Sequence, residues 1–171
     1  VAAASIRHGL QSGNPLHVET RDYPESLRAP GASFVTLHRH GELRGCIGSL
    51  EAHRPLVTDV ADNAFAAAFR DPRFAPLRAD ELADLELHIS VLSAPQPLAF
   101  RDEADLLRQL CPGVDGLILS ADGHRGTFLP SVWESLPRPE QFLAQLKRKA
   151  GLPADFWSPA LRVQRYTTEA F

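Results

Sequence analysis

Phe34-Val35-Thr36-Leu37-His38-Arg39, then His40-Gly41, then Glu42-Leu43-Arg44-Gly45-Cys46-Ile47-Gly48 is the stretch that decides the fold. β-forming residues run up to a His-Gly pair and resume after it, the pattern of a hairpin closed by a two-residue turn. A regular register across that turn sets Arg39 opposite Glu42, Leu37 opposite Arg44 and Val35 opposite Cys46. By alternation Arg44 and Cys46 project from one face and Leu43 and Ile47 from the other, with His38 on the face away from Cys46.

The second arm of this hairpin concentrates chemistry that packing does not require. Glycine weakens a strand unless a bulge, a bend or a close approach needs the missing side chain. Gly45 and Gly48 therefore either bring backbone N–H groups to a ligand or mark a bulge, and they match neither standard phosphate-loop pattern. Arg44 is a candidate clamp for a carboxylate or phosphate, or the partner of a nearby Asp or Glu. Cys46 is a candidate nucleophile that a neighbouring cation would favour as thiolate, or a small buried hydrophobe.

Working outward, residues 1–11 read as a helix closed by Gly13, Asn14 and Pro15, and residues 25–28 as a single helical turn. The apolar positions between His53 and Phe69 follow a 3.6-residue period, and Asp71-Pro72 ends that helix. Residues 78–83 form a short helix before a strand over 85–92. Leu85, Leu87, Ile89 and Val91 line one face of this strand, Glu86, His88 and Ser90 the other. His88 is the histidine best placed to serve Cys46 as a base, unless that face is only solvated. Asp102 caps a helix to Leu110, and a second hairpin turns at Asp122-Gly123. Pro130 opens a helical segment through Trp133, Pro139 opens a longer helix ending at Gly151, and residues 161–167 form the final strand. Hairpins dominate the connections, which predicts an α+β fold with a mainly antiparallel sheet flanked by helices.

With 171 residues, 44% of them hydrophobic, the chain can bury a core as one domain, 1–171, with room for two subdomains. A net charge of −3 argues against a dedicated nucleic-acid binder, although Arg162 and Arg165 leave room for a local basic patch. Two cysteines, Cys46 and Cys111, are too few for a disulfide framework and place the chain in a reducing cytoplasm. No apolar run reaches membrane-span length. With no Met in the chain, Val1 is read as other than an encoded initiator. His38 and His40 lack a third ligand at metal-site spacing, so no metal and no cofactor are assigned.

Leu43 to Gly48 reads LRGCIG and resembles the signature hexapeptide of the AMMECR-one family. The resemblance extends to Phe34 to Leu37, Asp71-Pro72-Arg73-Phe74, Glu86 to Leu92, Gly126 to Glu134 and Lys149-Ala150-Gly151-Leu152, nearly the full chain. One position departs: Lys147 stands where many members have a cysteine. The resemblance implies two unequal lobes with a cleft between them and the hexapeptide near that cleft. It also implies association with MEMO-like and radical-SAM proteins, and it brings no established activity. Three functions follow as expectations. The first is a module binding a small anionic ligand through Arg44, Gly45 and Gly48, with thiol catalysis by Cys46 and His88. The second is a non-catalytic interaction or scaffold protein. The third, nucleotide or nucleic-acid binding, requires an arginine-rich surface.

Overall fold

The computed structural model describes residues 1–171. In chain order the helices are α1 (Ala2–Ser12), α2 (Glu25–Arg28), α3 (Leu56–Phe69), α4 (Glu103–Gln109) and α5 (Pro139–Lys149). The strands are β1 (Pro30–Arg39), β2 (Glu42–Gly48), β3 (Arg54–Pro55), β4 (Leu85–Leu92), β5 (Gln96–Pro97), β6 (Gly116–Ala121), β7 (His124–Phe128), β8 (Arg162–Tyr166) and β9 (Thr168–Ala170). The α+β expectation holds, with antiparallel pairing between the strands whose register is defined. No helix is long and apolar enough to cross a membrane.

The chain forms two compact units: Val1–Leu92 with Glu169–Phe171, and Ser93–Thr168. In the first, the sheet order is β2-β1-β4-β9, with β3 on the end of β1, so β2 is an edge strand. Helix α3 packs on one face of this sheet and α1 packs on α3. Val35 and Leu37 of β1 meet Val60, Ala64, Ala67 and Ala68 of α3 in a core where Val35, Leu37 and Ala64 are fully buried. Small residues on α3 let it lie close to the sheet, and Gly9 does the same for α1 against Phe65 and Phe69. Helix α3 begins three residues later than its apolar period predicts, because Arg54 and Pro55 pair with Gly31 and Pro30 as β3.

A polar cluster lies inside this unit. Asp59 of α3 is fully buried and accepts the Ser33 N–H at 2.8 Å, the Ser33 hydroxyl at 2.7 Å and the Ser49 hydroxyl at 2.7 Å. Asn63, one turn on, donates to Asp59 at 2.9 Å and to the Ser33 carbonyl at 3.0 Å. Arg54 donates to Asp59 through Nε at 2.9 Å and also pairs with Asp62. Helix and sheet are thereby held in one register by satisfied hydrogen bonds.

The second unit has the sheet order β5-β8-β6-β7. Leu117, Leu119 and Ala121 of β6 face Phe142, Leu143 and Leu146 of α5 in its core. Trp133 is buried there, stacked on Phe142 with ring centres 3.7 Å apart and donating to the Asp115 carbonyl at 2.7 Å. The Tyr166 ring lies over Gly116, and burial pushes its hydroxyl up to about 12. Lys147 is fully buried, with Nζ 3.1 Å from Glu103 Oε1 and 5.7 Å from the centre of the Trp157 ring. A single buried cation with one carboxylate is worth little net, because desolvation offsets the attraction. Lys147→Met, which keeps the length and removes the charge, is therefore expected to hold stability level or raise it by about 1–3 kcal/mol. Lys147→Ala, which leaves a cavity, is expected to lower it by about 2–4 kcal/mol. Thermal melts of the two variants check the pair.

Candidate functional site

The β1–β2 hairpin turns at His40 and Gly41, both with positive φ (53° and 78°), as the two-residue turn requires. Arg39 pairs with Glu42 as expected. Beyond Leu43 the expected register fails. A bulge between Leu37 and His38 makes Arg44 an extra residue, so Leu37 faces Gly45, Thr36 faces Cys46 and Val35 faces Ile47. One inserted residue reverses the parity of everything after it.

The predicted companionship of Arg44 and Cys46 on one face is therefore corrected. Cys46 meets Thr36, its Sγ 3.3 Å from Oγ1. Arg44 turns to Glu81 in the 3-10 turn Ala79–Asp84, Nε to Oε1 at 2.8 Å and Nη2 to Oε2 at 3.0 Å, and also donates to the Ala75 carbonyl at 3.0 Å. Arg39, with the parity of core-facing Leu37, reaches the same Glu81 at 3.3 Å. The hydrogen bond from Arg44 is the main force holding the Glu81 carboxyl down at about 2, and the same bond raises Arg44. Leu43, expected on the face opposite Cys46, pairs with His38 and is exposed.

His38 also moves, from the face opposite Cys46 to the same face. Thr36 pairs with Cys46 on one side and with His88 on the other, and His38 pairs with Glu86. His38 and His88 meet edge to face with ring centres 5.3 Å apart, and Nδ1 of His38 is shielded from solvent without a hydrogen-bond partner. His88 is thus two strands from Cys46, about 10 Å between backbones, with Thr36 between them. A shared acidic, histidine and cysteine group able to hold a metal ion is absent.

The glycines of the hexapeptide admit close neighbours from the protein itself. A Cβ on Gly45 would stand 2.1 Å from the Ala67 carbonyl oxygen of α3. One on Gly48 would stand 2.2 Å from the Phe34 ring, which lies across the strand from it.

Sequence reasoning missed the loop after α3. Cys46 lies on an edge strand, and its outward N–H and C=O need partners. Asp71 supplies the acceptor, Oδ2 taking the Cys46 N–H at 2.9 Å, and Arg73 Nη2 donates to the Cys46 carbonyl at 3.3 Å. Arg73 in turn grips Asp71 with Nε at 2.9 Å and Nη2 at 2.7 Å. That grip, with the N–H groups of Cys46 and Arg73, holds the Asp71 carboxyl well below the usual carboxylate range. Arg73 is raised, first by Asp71 and further by its nearness to Cys46. The available signal was an Asp-x-Arg pair directly after the helix, read from the sequence as a terminator and a family motif but not as a partner of Cys46.

Known proteins share this arrangement of sequence across its length. The AMMECR1 family profile matches residues 1–171. The chain belongs to the AMMECR1 family. A protein of Methanothermobacter thermautotrophicus is 38% identical over 177 residues, covering 100% of this chain and 90% of that one. A protein of Thermotoga maritima is 41% identical, covering 86% of this chain and 82% of its own. The crystal structure of an uncharacterised protein from Pyrococcus horikoshii superimposes with a TM-score of 0.90 at 34% identity, covering 99% of this chain and 86% of that one. Membership in the AMMECR1 family leaves the activity to be argued from the site.

Proposed function

We propose that this protein is a small binding module whose working group is the Cys46 thiol, holding or acting on an anionic ligand at the Leu43–Gly48 motif. The observation that carries this reading is how Cys46 is held. Its backbone is fastened on the outer side by Asp71 and Arg73, its Sγ meets the Thr36 hydroxyl, and it remains half-buried rather than sealed. A cysteine fixed in place at a strand edge, with a guanidinium on its backbone carbonyl, is positioned to present its sulfur to a ligand. If the ligand is turned over, His88 beyond Thr36 is the candidate proton acceptor. The partners in this reading are the MEMO-like and radical-SAM proteins to which the resemblance points, in the cytoplasm.

Cys111, which is exposed, serves as an internal reference. Iodoacetamide alkylation followed by peptide mass spectrometry is expected to modify Cys46 about tenfold faster than Cys111 at neutral pH. A Cys46 no faster than Cys111 overturns the reading.

A second reading is favoured by a different observation: Arg44, Gly45 and Gly48 are all engaged in contacts within the protein. A scaffold role follows from that, and it expects folded Cys46→Ser to keep both partner binding and the activity of the assembled system. Loss of that activity with binding intact returns the choice to the thiol.

A further inference from the structure

We propose that Arg73, and not Arg44, is the residue that recognises the oxyanion of a ligand at Cys46. The inference rests on the reading of Cys46 as the working thiol and gives that site its ligand class, a small carboxylate or phosphate.

The two arginines differ in what their donors are free to do. Arg44 is 14% exposed in its side chain, two of its nitrogens are committed to Glu81 and Ala75, and Nη1 is shielded from solvent. A ligand that competed for it would leave Glu81 without its main partner in a buried setting. Arg73 is 53% exposed. Its Nε and Nη2 bond Asp71 and the Cys46 carbonyl, and Nη1 hydrogen-bonds nothing in the protein.

Arg73 is also fixed in place. Asp71 grips it from one side, and Asp71 is itself held by the Cys46 N–H at 2.9 Å and the Arg73 N–H at 3.1 Å. The Phe74 ring stacks under Arg73 with its centre 5.4 Å from Cζ, and Arg44 Cζ lies 5.9 Å from the same ring. Arg44 thus supports the platform on which Arg73 rests. The result is a guanidinium fixed at the Cys46 backbone with one nitrogen left over, the chemistry that binds one oxygen of a carboxylate or phosphate. Because Asp71 cancels the charge at a distance, recognition is short-range and hydrogen-bonded rather than a diffuse attraction. The other polar or charged groups on this face are Thr36, His38, Glu86, His88 and Ser90, with no further arginine or lysine among them.

The test uses iodoacetate and iodoacetamide, which differ in one carboxylate. In both, the Cys46 thiolate sulfur attacks the methylene carbon, the S–C bond forms as C–I breaks, iodide leaves, and the thiol proton goes to buffer. The rate ratio of iodoacetate to iodoacetamide at Cys46 is expected to exceed that at Cys111 by about tenfold, the value of one charge-assisted hydrogen bond. Arg73→Gln is expected to bring the ratio down to that of Cys111, and Arg73→Lys to restore part of it. Inorganic phosphate is expected to slow iodoacetate, but not iodoacetamide, at Cys46 of the unsubstituted protein. A reactive Cys46 without preference for iodoacetate, or a preference unchanged in folded Arg73→Gln, overturns the inference alone. A Cys46 slow toward both reagents overturns the reading beneath it as well. If Arg73→Gln does not fold, the phosphate competition decides: selective slowing supports the inference, and equal or absent slowing overturns it.

Discussion

Asp59→Ala is expected to destabilise the protein by about 3–5 kcal/mol, which is a large part of the stability a domain of this size possesses. The carboxylate is fully buried, and its loss leaves the Ser33 N–H, two serine hydroxyls and the Asn63 amide without their acceptor between α3 and β1. Arg54 is the lesser matter, since it keeps Asp62. Arg54→Ala also leaves Asp59 with the Ser33 N–H, two hydroxyls and an amide, so it should cost about half as much. Asp59→Asn retains one acceptor oxygen and is expected to fall between them. Urea melts followed by circular dichroism rank the three. An Arg54→Ala as damaging as Asp59→Ala would show the ion pair, and not the neutral donors, to be the main support.

Local signals were legible where one element needs nothing from another. Leu85–Leu92 alternates and is a strand at those bounds, Glu25–Arg28 is the single turn expected, and the His40-Gly41 and Asp122-Gly123 pairs turn their hairpins. The family could be recognised for the same reason, since its motifs are contiguous. What was not legible depends on contacts across the fold. Nothing between Phe34 and Gly48 says that the Ala67 carbonyl lies against Gly45, so the register was taken as regular, which set Arg44 beside Cys46 on one face and His38 on the other. Asp59 and Asn63 did carry a signal, two polar residues one turn apart among the apolar positions of the helix, but their partners Ser33 and Ser49 come from elsewhere in the chain. Strand β9 has three residues, too few for a period, and is fixed by the reciprocal backbone bonds of Phe171 with Ile89 at 2.9 and 3.0 Å.

The hexapeptide glycines separate a backbone requirement from a side-chain one. At Gly45 the nearest atom to an added Cβ is a backbone oxygen, at 2.1 Å, with the Ala67 carbonyl carbon at 3.1 Å. No truncation at Ala67 removes that oxygen, so Gly45→Ala forces α3 away from the sheet or the bulge out of register. The expected cost is about 3 kcal/mol, the upper end of overpacking penalties, because an element rather than a rotamer has to move. At Gly48 the obstacle is the Phe34 ring, a half-buried side chain that can rotate, and Gly48→Ala is expected to cost about 1 kcal/mol. Displacement of β2 also pulls Cys46 from Asp71 and Thr36, so Gly45→Ala should slow Cys46 alkylation while Gly48→Ala leaves it near the parent rate. Equilibrium unfolding and alkylation of the two variants test both statements. Equal destabilisation would mean that the Ala67 carbonyl yields as readily as a phenyl ring, and that the bulge is not held by the approach of α3.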